Sequence, residues 1–376
     1  MEQSKESVPQ LLKSLLIALI SIIIISQTLS QYVIQPLTFD TTLARSGRYS
    51  ISFEAWDTIQ DDELITVVGI GSSLTHYALS GDCIETEIDS YSTHVYNLGV
   101  PGSFPYLEMI QTEKAIRSNP EMILLEINPI SLHPVSDASP EYIELIIKLN
   151  SLFMTSFDYG DWQELLREED SQHLDGIVLN RYGSESTYFN EAIEDLIFRY
   201  LNQNPNGEDW WIKQGGLFHW YSSAPDPNSE DWNSYLRNPT WLPRYLDSMN
   251  ESELELYETE MIPYQMNRNR YNPVLEDNLN FAALEYIVAS FSQNKIPVLL
   301  ISYPLHPIAV SGLDDGQLNA HNESLSVLES YDGVESVNYI WDESWGAENF
   351  YDFEHLDTLG REKICHSLAA SIAEFL

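Results

Sequence analysis

Positive charge is scarce in this chain of 376 residues. Its 18 Lys and Arg residues stand against 58 Asp and Glu residues, which gives a formal net charge of −40 at pH 7. Contact with nucleic-acid phosphates needs clusters of Lys and Arg, so a nucleic-acid partner is excluded. Two interpretations of the acidic excess stay open. The protein either tolerates or needs high ionic strength, which screens its self-repulsion, or it simply has an acidic, soluble exterior.

Cysteine is also scarce, and so are the signatures of bound metals and cofactors. The two cysteines, Cys83 and Cys365, form no zinc-binding spacing with histidine. No phosphate-binding loop is present, and GIGSSL at residues 69–74 lacks the final glycine of a dinucleotide fingerprint. The acidic residues around His355 occupy neighbouring positions that point in different directions, which disfavours a cation site. We therefore predict no metal and no cofactor.

The N-terminus carries one long apolar run. Between residues 11 and 34 Lys13 is the only charged residue, and about 20 apolar residues are enough to span a bilayer. A cleaved secretory signal has a shorter apolar core and small residues at its cleavage site, for which this segment offers only a poor version. We predict an uncleaved, single-pass membrane anchor over residues 1–34, with the body of the chain outside the cytoplasm. A cleaved signal is the alternative.

Five short apolar runs follow the anchor and alternate with helical patterns. Residues 35–60 mix Pro, Thr, Ser and Arg and are typical of a stalk between anchor and body. The strand candidates are LITVVGIG (64–71), THVYNLG (93–99), MILLEIN (122–128), IPVLLISY (296–303) and ESVNYIW (335–341). The alternation predicts an α/β domain with a parallel sheet over residues 61–376.

A long insertion, at about residues 131–276, separates the third strand from the fourth. It contains six of the nine Trp residues. Because a structureless loop of this length is implausible in a compact domain, we predict a mainly helical segment. Its aromatic residues suit either a locally built core or a lid that faces the substrate, and both interpretations stay open.

Two short segments contain residues suited to nucleophilic chemistry. In ITVVGIGSSLTHYALSG, residues 65–81, a serine pair follows a strand and begins a helix. Such a serine can merely cap the helix, or it can be a nucleophile beside exposed backbone N–H groups. Near the C-terminus, Asp352 precedes His355 by three residues, so the carboxylate can orient the imidazole as a base. The alternative is an acidic cluster at a helix N-terminus with an incidental histidine.

Three other histidines could lie near such a site. His76 follows the serine pair by about one helical turn, whereas His133 and His306 follow the third and fourth strands. We expect His76 to be a helix-surface or supporting residue. We expect His133 and His306 to line the crevice at the ends of the strands.

The order of these segments resembles the SGNH, or GDSL, hydrolase family. That family has a Ser after strand one, a Gly after strand two, an Asn after strand three and Asp-x-x-His before the final helix. Ser73, Gly99 and Asn128 match the first three positions, and Asp352 with His355 matches the last. The resemblance implies a flavodoxin-like, three-layer α/β/α fold whose five-stranded parallel sheet has the order 2-1-3-4-5.

The resemblance also implies acyl chemistry. Ser73 would attack an acyl carbonyl, His355 would take the serine proton, and Asp352 would orient the imidazole. The backbone N–H groups of Ser73 and Gly99 and the side-chain amide of Asn128 would stabilise the oxyanion. Glycine at position 99 would let a substrate approach the backbone without meeting a Cβ.

The match covers about residues 64–130 and 280–376 and departs from the family pattern at two points. Ser72 stands where the family usually has Asp, and the third block, usually Gly-x-Asn-Asp, is Glu126-Ile127-Asn128-Pro129 here. Gly-Ser-Ser versions with large insertions resemble membrane-associated proteins that add or remove acyl groups on cell-surface polymers. We therefore expect a hydrolase or O-acyltransferase that acts on O-acyl esters, O-acetyl included, of glycans or surface polymers.

Two other functions stay open at this point. The protein could be a catalytically inactive SGNH-fold accessory or glycan-binding protein. It could also be the partner of a multi-span O-acyltransferase that receives an acyl group on Ser73 and passes it on. In the implied strand order, the helix after strand one and the last helix cover the same face of the sheet. This favours a disulfide between Cys83 and Cys365, which outside the cytoplasm is permissible, over two free thiols.

Overall fold

A computed structural model of the chain describes residues 7–29, 48–88, 92–133, 161–168, 229–238, 251–261, 263 and 275–376. The fold is α/β, with five parallel strands flanked by helices. The strands are β1 (Ile65–Ile70), β2 (Thr93–Asn97), β3 (Met122–Glu126), β4 (Val298–Ser302) and β5 (Val334–Asn338). Their order in the sheet is β2-β1-β3-β4-β5, which confirms the predicted order.

The strand sequences explain why the sheet lies inside the protein. Every residue of β3 (MILLE) and of β4 (VLLIS) is buried. A parallel sheet flanked by helices needs apolar residues at odd and even positions alike, which these unbroken runs provide. At one edge of the sheet β5 is buried only at Val334, in agreement with its more polar sequence.

The described residues form twelve helices. They are α1 (Ser7–Leu29), α2 (Arg48–Gln60), α3 (Ser73–Ala78), α4 (Gly81–Glu87), α5 (Pro105–Glu108), α6 (Thr112–Ser118), α7 (Asp231–Arg237), α8 (Glu251–Leu256), α9 (Leu279–Gln293), α10 (Pro307–Gly312), α11 (Asp315–Leu328) and α12 (Thr358–Phe375). The last helix, α12, contacts α3 and α4, whereas α9 contacts α5, α6 and α11. Short 3-10 turns cover Met109–Gln111, Pro129–Leu132, Asp161–Leu165, Leu275–Asp277 and Ala347–Asn349, and a π turn covers Tyr257–Met261.

The chain divides into two compact units, residues 1–50 with 172–223, and residues 51–171 with 224–376. The sheet lies in the second unit. In the first, α1 covers most of the apolar N-terminal run, and its described leucine and isoleucine side chains are exposed. The transmembrane helix that the sequence predicts is not found, because no helix among the described residues is long and apolar enough to cross a membrane.

The second half of the expected stalk forms helix α2. Trp56 on this helix is fully buried, and its Nε1 donates a hydrogen bond to Gln111 Oε1 at 3.1 Å. Ile51 and Ala55 are also fully buried. Burial of large apolar side chains stabilises the attachment of a helix, so residues 51–60 belong to the packed body. Residues 35–47 lie outside the described residues.

The described parts of the insertion pack onto the body. Helix α7 contacts β2, and its Trp232 is buried, with Nε1 donating to Thr58 Oγ1 at 2.9 Å. Trp162 is buried as well. These two side chains are therefore buried where the insertion packs against the body of the protein. The other four tryptophans of the insertion, Trp210, Trp211, Trp220 and Trp241, lie outside the described residues.

Cys83 and Cys365 form a disulfide. The bond joins α4, which follows the nucleophile segment, to α12, which follows the Asp-x-x-His segment. Cys365 is fully buried in an apolar cluster that includes Ile84 and Leu368. The two segments expected to carry the chemistry are thus tied together covalently.

Candidate active site

The two serines after β1 have different surroundings. Ser72 is the N-cap of α3, and its Oγ accepts a hydrogen bond from the Leu74 N–H at 3.2 Å. The same hydroxyl donates to Glu126 Oε1 at 2.6 Å. Ser73 is the first residue of the helix and bonds instead to His355. The hydroxyl that caps the helix and the hydroxyl that bonds to a histidine therefore belong to separate residues.

Ser73, His355 and Asp352 form a continuous chain of hydrogen bonds. Ser73 Oγ lies 2.7 Å from His355 Nε2, and His355 Nδ1 lies 2.7 Å from Asp352 Oδ2. An ionised carboxylate only accepts hydrogen bonds, so Nδ1–H donates to Asp352 and Nε2 accepts from the serine hydroxyl. Asp352 Oδ1 accepts from the backbone N–H groups of Glu354, at 3.0 Å, and of His355, at 2.8 Å.

The charges around His355 favour its protonated form. Burial acts to lower the pKa of His355, but the hydrogen bond and charge of Asp352, with the charges of Glu354 and Glu126, raise it overall. Burial acts to raise the pKa of Asp352, but its bonds with His355 and with backbone amides lower it overall. Asp352 is thus ionised near neutral pH and stabilises an imidazolium at His355.

Glu126, the last residue of β3, organises the nucleophile turn and was not singled out from the sequence. Its Oε2 accepts hydrogen bonds from Ser72 N at 2.8 Å, Thr75 N at 3.0 Å and Thr75 Oγ1 at 2.8 Å. The carboxyl also lies against Gly71, where an added Cβ would come 2.6 Å from Oε2. The available signal was a pair of departures from the family pattern that the sequence resembles, Ser72 in the place of an Asp and Glu126 in the place of a Gly. In the structure, the Glu126 carboxylate on the neighbouring strand bonds to Ser72.

Two of the predicted oxyanion donors are unpaired in the described part of the chain. The Ser73 N–H has no hydrogen-bond partner there. The side chain of Asn128 is fully buried, and neither its Oδ1 nor its Nδ2 is hydrogen-bonded to a described residue. A buried amide without a partner is costly, and a ligand atom that binds it accounts for its presence.

The backbone around Gly99 is arranged differently from the prediction. Its N–H donates to Asn97 Oδ1 at 3.0 Å, and its carbonyl accepts from His76 Nδ1 at 3.2 Å. An added Cβ would lie 2.5 Å from the backbone nitrogen of His76, so close packing of α3, not substrate approach, requires glycine here. Gly102, in the following turn, has a φ of 78° and open space around its Cβ position. Its N–H has no partner among the described residues.

The other candidate histidines support the structure around the triad. His76 is buried and bonded to Gly99. His306 is buried, its Nδ1 accepts from Ile308 N at 3.2 Å at the start of α10, and burial lowers its pKa despite the charge of Asp352. His133 follows the turn after β3, and its carbonyl accepts from Asn280 Nδ2 at 2.6 Å.

Glu354 lies beside the triad. Its Oε1 is 3.9 Å from His355 Nε2. The pKa of Glu354 is raised to about 7, because burial and the charges of Asp352 and Glu126 outweigh the opposing effect of His355. Among the described residues, no group of three or more His, Cys, Asp or Glu side chains is arranged to hold a metal ion.

A small recess, with room for about one water molecule, adjoins the turn that holds Ser72. Its lining comes from the segments that follow β1, β2 and β3 and includes Ser72, Ser103, Glu108 and Glu126. Glu108 is fully enclosed, and burial, with a smaller effect of the Glu126 charge, raises its pKa to about 8. Ligands of open α/β sheets bind at this end, outside the carboxyl ends of the strands.

The chain matches no protein-family model and no curated protein. What the site can do therefore follows from its own geometry. A serine hydroxyl, an oriented base and unpaired amides are the groups that acyl transfer through a covalent intermediate needs.

Proposed function

We propose that the protein is an SGNH-type serine hydrolase or O-acyltransferase that acts on O-acyl esters, O-acetyl included, of glycans or surface polymers. The observation that carries the proposal is the pair of 2.7 Å contacts that link Ser73 to His355 and His355 to Asp352. These distances lie within the range in which a base removes the proton of a serine nucleophile.

The reaction has two halves. In the first, Ser73 Oγ bonds to the acyl carbon while its proton passes to His355 Nε2. The bond from the acyl carbon to the alcohol oxygen then breaks, and the proton on Nε2 passes to that oxygen. In the second half, water or an acceptor hydroxyl gives a proton to Nε2 and attacks the acyl carbon. The bond from that carbon to Ser73 Oγ then breaks, and the proton on Nε2 returns to Oγ, which releases the carboxylic acid or the new ester.

Negative charge on the carbonyl oxygen needs donors that are present before the reaction. The unpaired N–H of Ser73 and the buried, unpaired amide of Asn128 are two such donors. The N–H of Gly99, which the sequence predicts as a third donor, is bonded to Asn97 Oδ1. Donors of this kind stabilise the transition state more than the ground state, and the loss of one typically costs about 10²–10³ in turnover.

The contact between Ser73 and His355 favours an enzyme over the inactive accessory protein. An accessory protein that had lost its chemistry would have no need to keep this hydroxyl at 2.7 Å from an oriented imidazole. The role as a partner of a multi-span O-acyltransferase keeps the same chemistry and differs only in the source of the acyl group. An acyl-Ser73 adduct that a sugar acceptor removes faster than water does would favour transfer over hydrolysis.

The proposal includes attachment to the cell membrane, with the body on the extracytoplasmic side. It rests on the apolar run at residues 11–34 and on the disulfide, since such bonds persist in oxidising compartments. Fractionation of cells that express the full chain tests this. Recovery of the chain in the membrane pellet after carbonate washing is expected, and recovery in the wash would contradict the anchor.

Covalent labelling tests the catalytic serine. The purified chain, kept in concentrated salt, should react with a fluorophosphonate probe, and peptide mapping should place the adduct on Ser73. Ser73→Ala should not label, and His355→Ala should label far more slowly, because the hydroxyl loses its base. A chain that is folded by circular dichroism and yet fails to label at Ser73 would count against an enzyme.

A further inference from the structure

Glu354 has a position that the reaction described above does not use. Its carboxyl has no hydrogen-bond partner among the described residues, and Oε1 lies 3.9 Å from His355 Nε2, the nitrogen bonded to Ser73. The side chain keeps 18% of its accessible surface, so the carboxyl can be reached from solvent. If one ligand oxygen forms hydrogen bonds of about 2.8 Å to two groups, and the two bonds meet at a right angle, the two groups lie about 4 Å apart. One or two ligand oxygen atoms therefore fit between Nε2 and Oε1.

The loop holds Glu354 in this position. Its backbone N–H donates to Asp352 Oδ1 at 3.0 Å, so the main chain is fixed to the carboxylate that orients His355. A largely enclosed carboxyl without a partner is unfavourable, and a hydroxyl donor on the ligand would offset that cost. The oxygen that receives the proton from Nε2 during acylation is the oxygen of the leaving alcohol. Glu354 thus faces the alcohol side of the ester.

We propose that Glu354 binds a second hydroxyl of the alcohol, adjacent to the esterified oxygen. The enzyme then selects esters of vicinal polyols, such as sugars or glycerol, over esters of simple alcohols. An esterified oxygen carries no proton, so the ionised Glu354 carboxylate beside it, the form that dominates above about pH 7, gains a hydrogen bond only from a neighbouring hydroxyl. This inference rests on the proposed function and names the class of alcohol that the site accepts.

Glu354 exchanges no proton in this scheme. In acylation, the bond from Ser73 Oγ to the acyl carbon forms and the bond to the alcohol oxygen breaks. The proton on His355 Nε2 moves to that oxygen, and the polyol leaves. In transfer, a polyol hydroxyl gives a proton to Nε2 and attacks the acyl carbon of acyl-Ser73. The bond from that carbon to Ser73 Oγ breaks, the proton on Nε2 returns to Oγ, and the polyol ester leaves. In both directions Glu354 holds the adjacent hydroxyl and thereby orients the reacting oxygen toward Nε2.

Two small esters test the inference on the full chain in concentrated salt. Propyl acetate and 2-hydroxyethyl acetate share the acyl group and differ only in a terminal methyl or hydroxyl. We expect kcat/KM to favour 2-hydroxyethyl acetate by about 10- to 100-fold, as for a hydrogen bond to a charged group. In Glu354→Ala the ratio should fall to about 1. In Glu354→Gln, whose amide oxygen still accepts a hydrogen bond, part of the preference should remain.

Glu362→Gln is the matched control. Glu362 is exposed on α12, so the change removes one negative charge without touching the triad, and the ratio should stay at the wild-type value. A wild-type ratio near 1, or a preference that survives in Glu354→Ala, would overturn the inference and leave the proposed function standing. Failure to hydrolyse either ester, together with failure of Ser73 to take the fluorophosphonate probe, would overturn both.

Discussion

Ser73 and His355 are 282 residues apart in the chain and 2.7 Å apart in space. Cys83 and Cys365, which form the disulfide, have the same separation of 282 residues. Between these two pairs, the buried Arg361 donates from Nη2 to the Leu79 carbonyl at 3.2 Å, again across 282 residues. Equal separations mean that residues 73–83 and 355–365 run side by side in the same direction.

The contact between Ser73 and His355 is therefore the first of three connections along one pair of segments. Helices α3 and α4 lie on one side, and the start of α12 lies on the other. Because the disulfide and the arginine contact fix the alignment of the two segments, they also fix the position of the base against the nucleophile. The disulfide thus stabilises the arrangement of Ser73 and His355 as well as the fold.

Replacement of Asp352 by Asn tests the orientation and charge of His355. Turnover should fall on the order of 10⁴-fold, as in other serine triads, because the imidazole loses the carboxylate that selects its tautomer. The pKa of His355 is raised above the usual histidine value of 6.5. The acid limb of the kcat/KM profile should therefore lie above pH 6.5, and activity should increase as the pH rises through the pKa of His355. Without the Asp352 charge this pKa falls, so the acid limb should move to lower pH. A pH profile of ester hydrolysis measures both effects, and an unmoved limb would contradict the assignment.

Replacement of Asn128 by Ala should separate turnover from stability. We expect kcat to fall about 10²–10³-fold, because a donor to the oxyanion is lost. The free energy of unfolding should not fall with it, since the side-chain amide has no partner to lose among the described residues. Denaturant titration and ester hydrolysis on the same preparation measure the two quantities. A variant that loses stability and turnover in proportion would indicate a structural role.

Replacement of Glu126 by Gln tests the carboxylate that holds the nucleophile turn. Gln cannot accept the four hydrogen bonds that Ser72 and Thr75 donate, so stability should fall by about 1–3 kcal/mol and kcat by about 10²-fold. Glu121→Gln is the control. Glu121 accepts hydrogen bonds from Thr66 N and Oγ1 at the other end of β1, so its loss should lower stability without lowering kcat. Equal effects of the two variants on kcat would rule out a positioning role for Glu126.

Removal of the disulfide tests the covalent tie. In the double variant Cys83→Ala with Cys365→Ala, the free energy of unfolding should fall by about 2–5 kcal/mol, because a long loop is no longer closed in the unfolded chain. Before mutation, alkylation of the native protein without reductant should add no mass, and alkylation after reduction should label both cysteines. Two thiols that react in native, unreduced protein would contradict the bond.

The net charge of −40 predicts stabilisation by salt. Raising NaCl from 0.1 to 1 M shortens the Debye length from about 10 to about 3 Å, so repulsion among the acidic side chains is screened. The melting temperature should rise over this range, and KCl at equal ionic strength should have the same effect. A melting temperature independent of salt would favour the alternative of an acidic exterior without a need for high ionic strength.

The amino-acid sequence alone was enough to place the strands. It was also enough to find the two segments of the candidate site, the serine pair after β1 and the Asp-x-x-His segment before the last helix. Unbroken apolar runs such as MILLE and VLLIS mark buried strands, because burial on a parallel sheet leaves a short, local pattern. The pairing of Asp352 with His355 was equally local, since three residues in one turn bring the carboxylate to the imidazole. The strand order came from the resemblance and agrees with the fold.

The contacts between distant segments were decided by tertiary packing. Glu126 serves the nucleophile turn because parallel strands place the end of β3 beside the end of β1, a neighbourhood that no spacing along the chain reveals. Gly99 is glycine because the first turn of α3 packs against it. Trp56 turns half of an expected stalk into a packed helix through its contact with Gln111, 55 residues away. A local sequence pattern indicates which face of a helix or strand is buried. Which other segment packs against that face depends on how the whole chain folds.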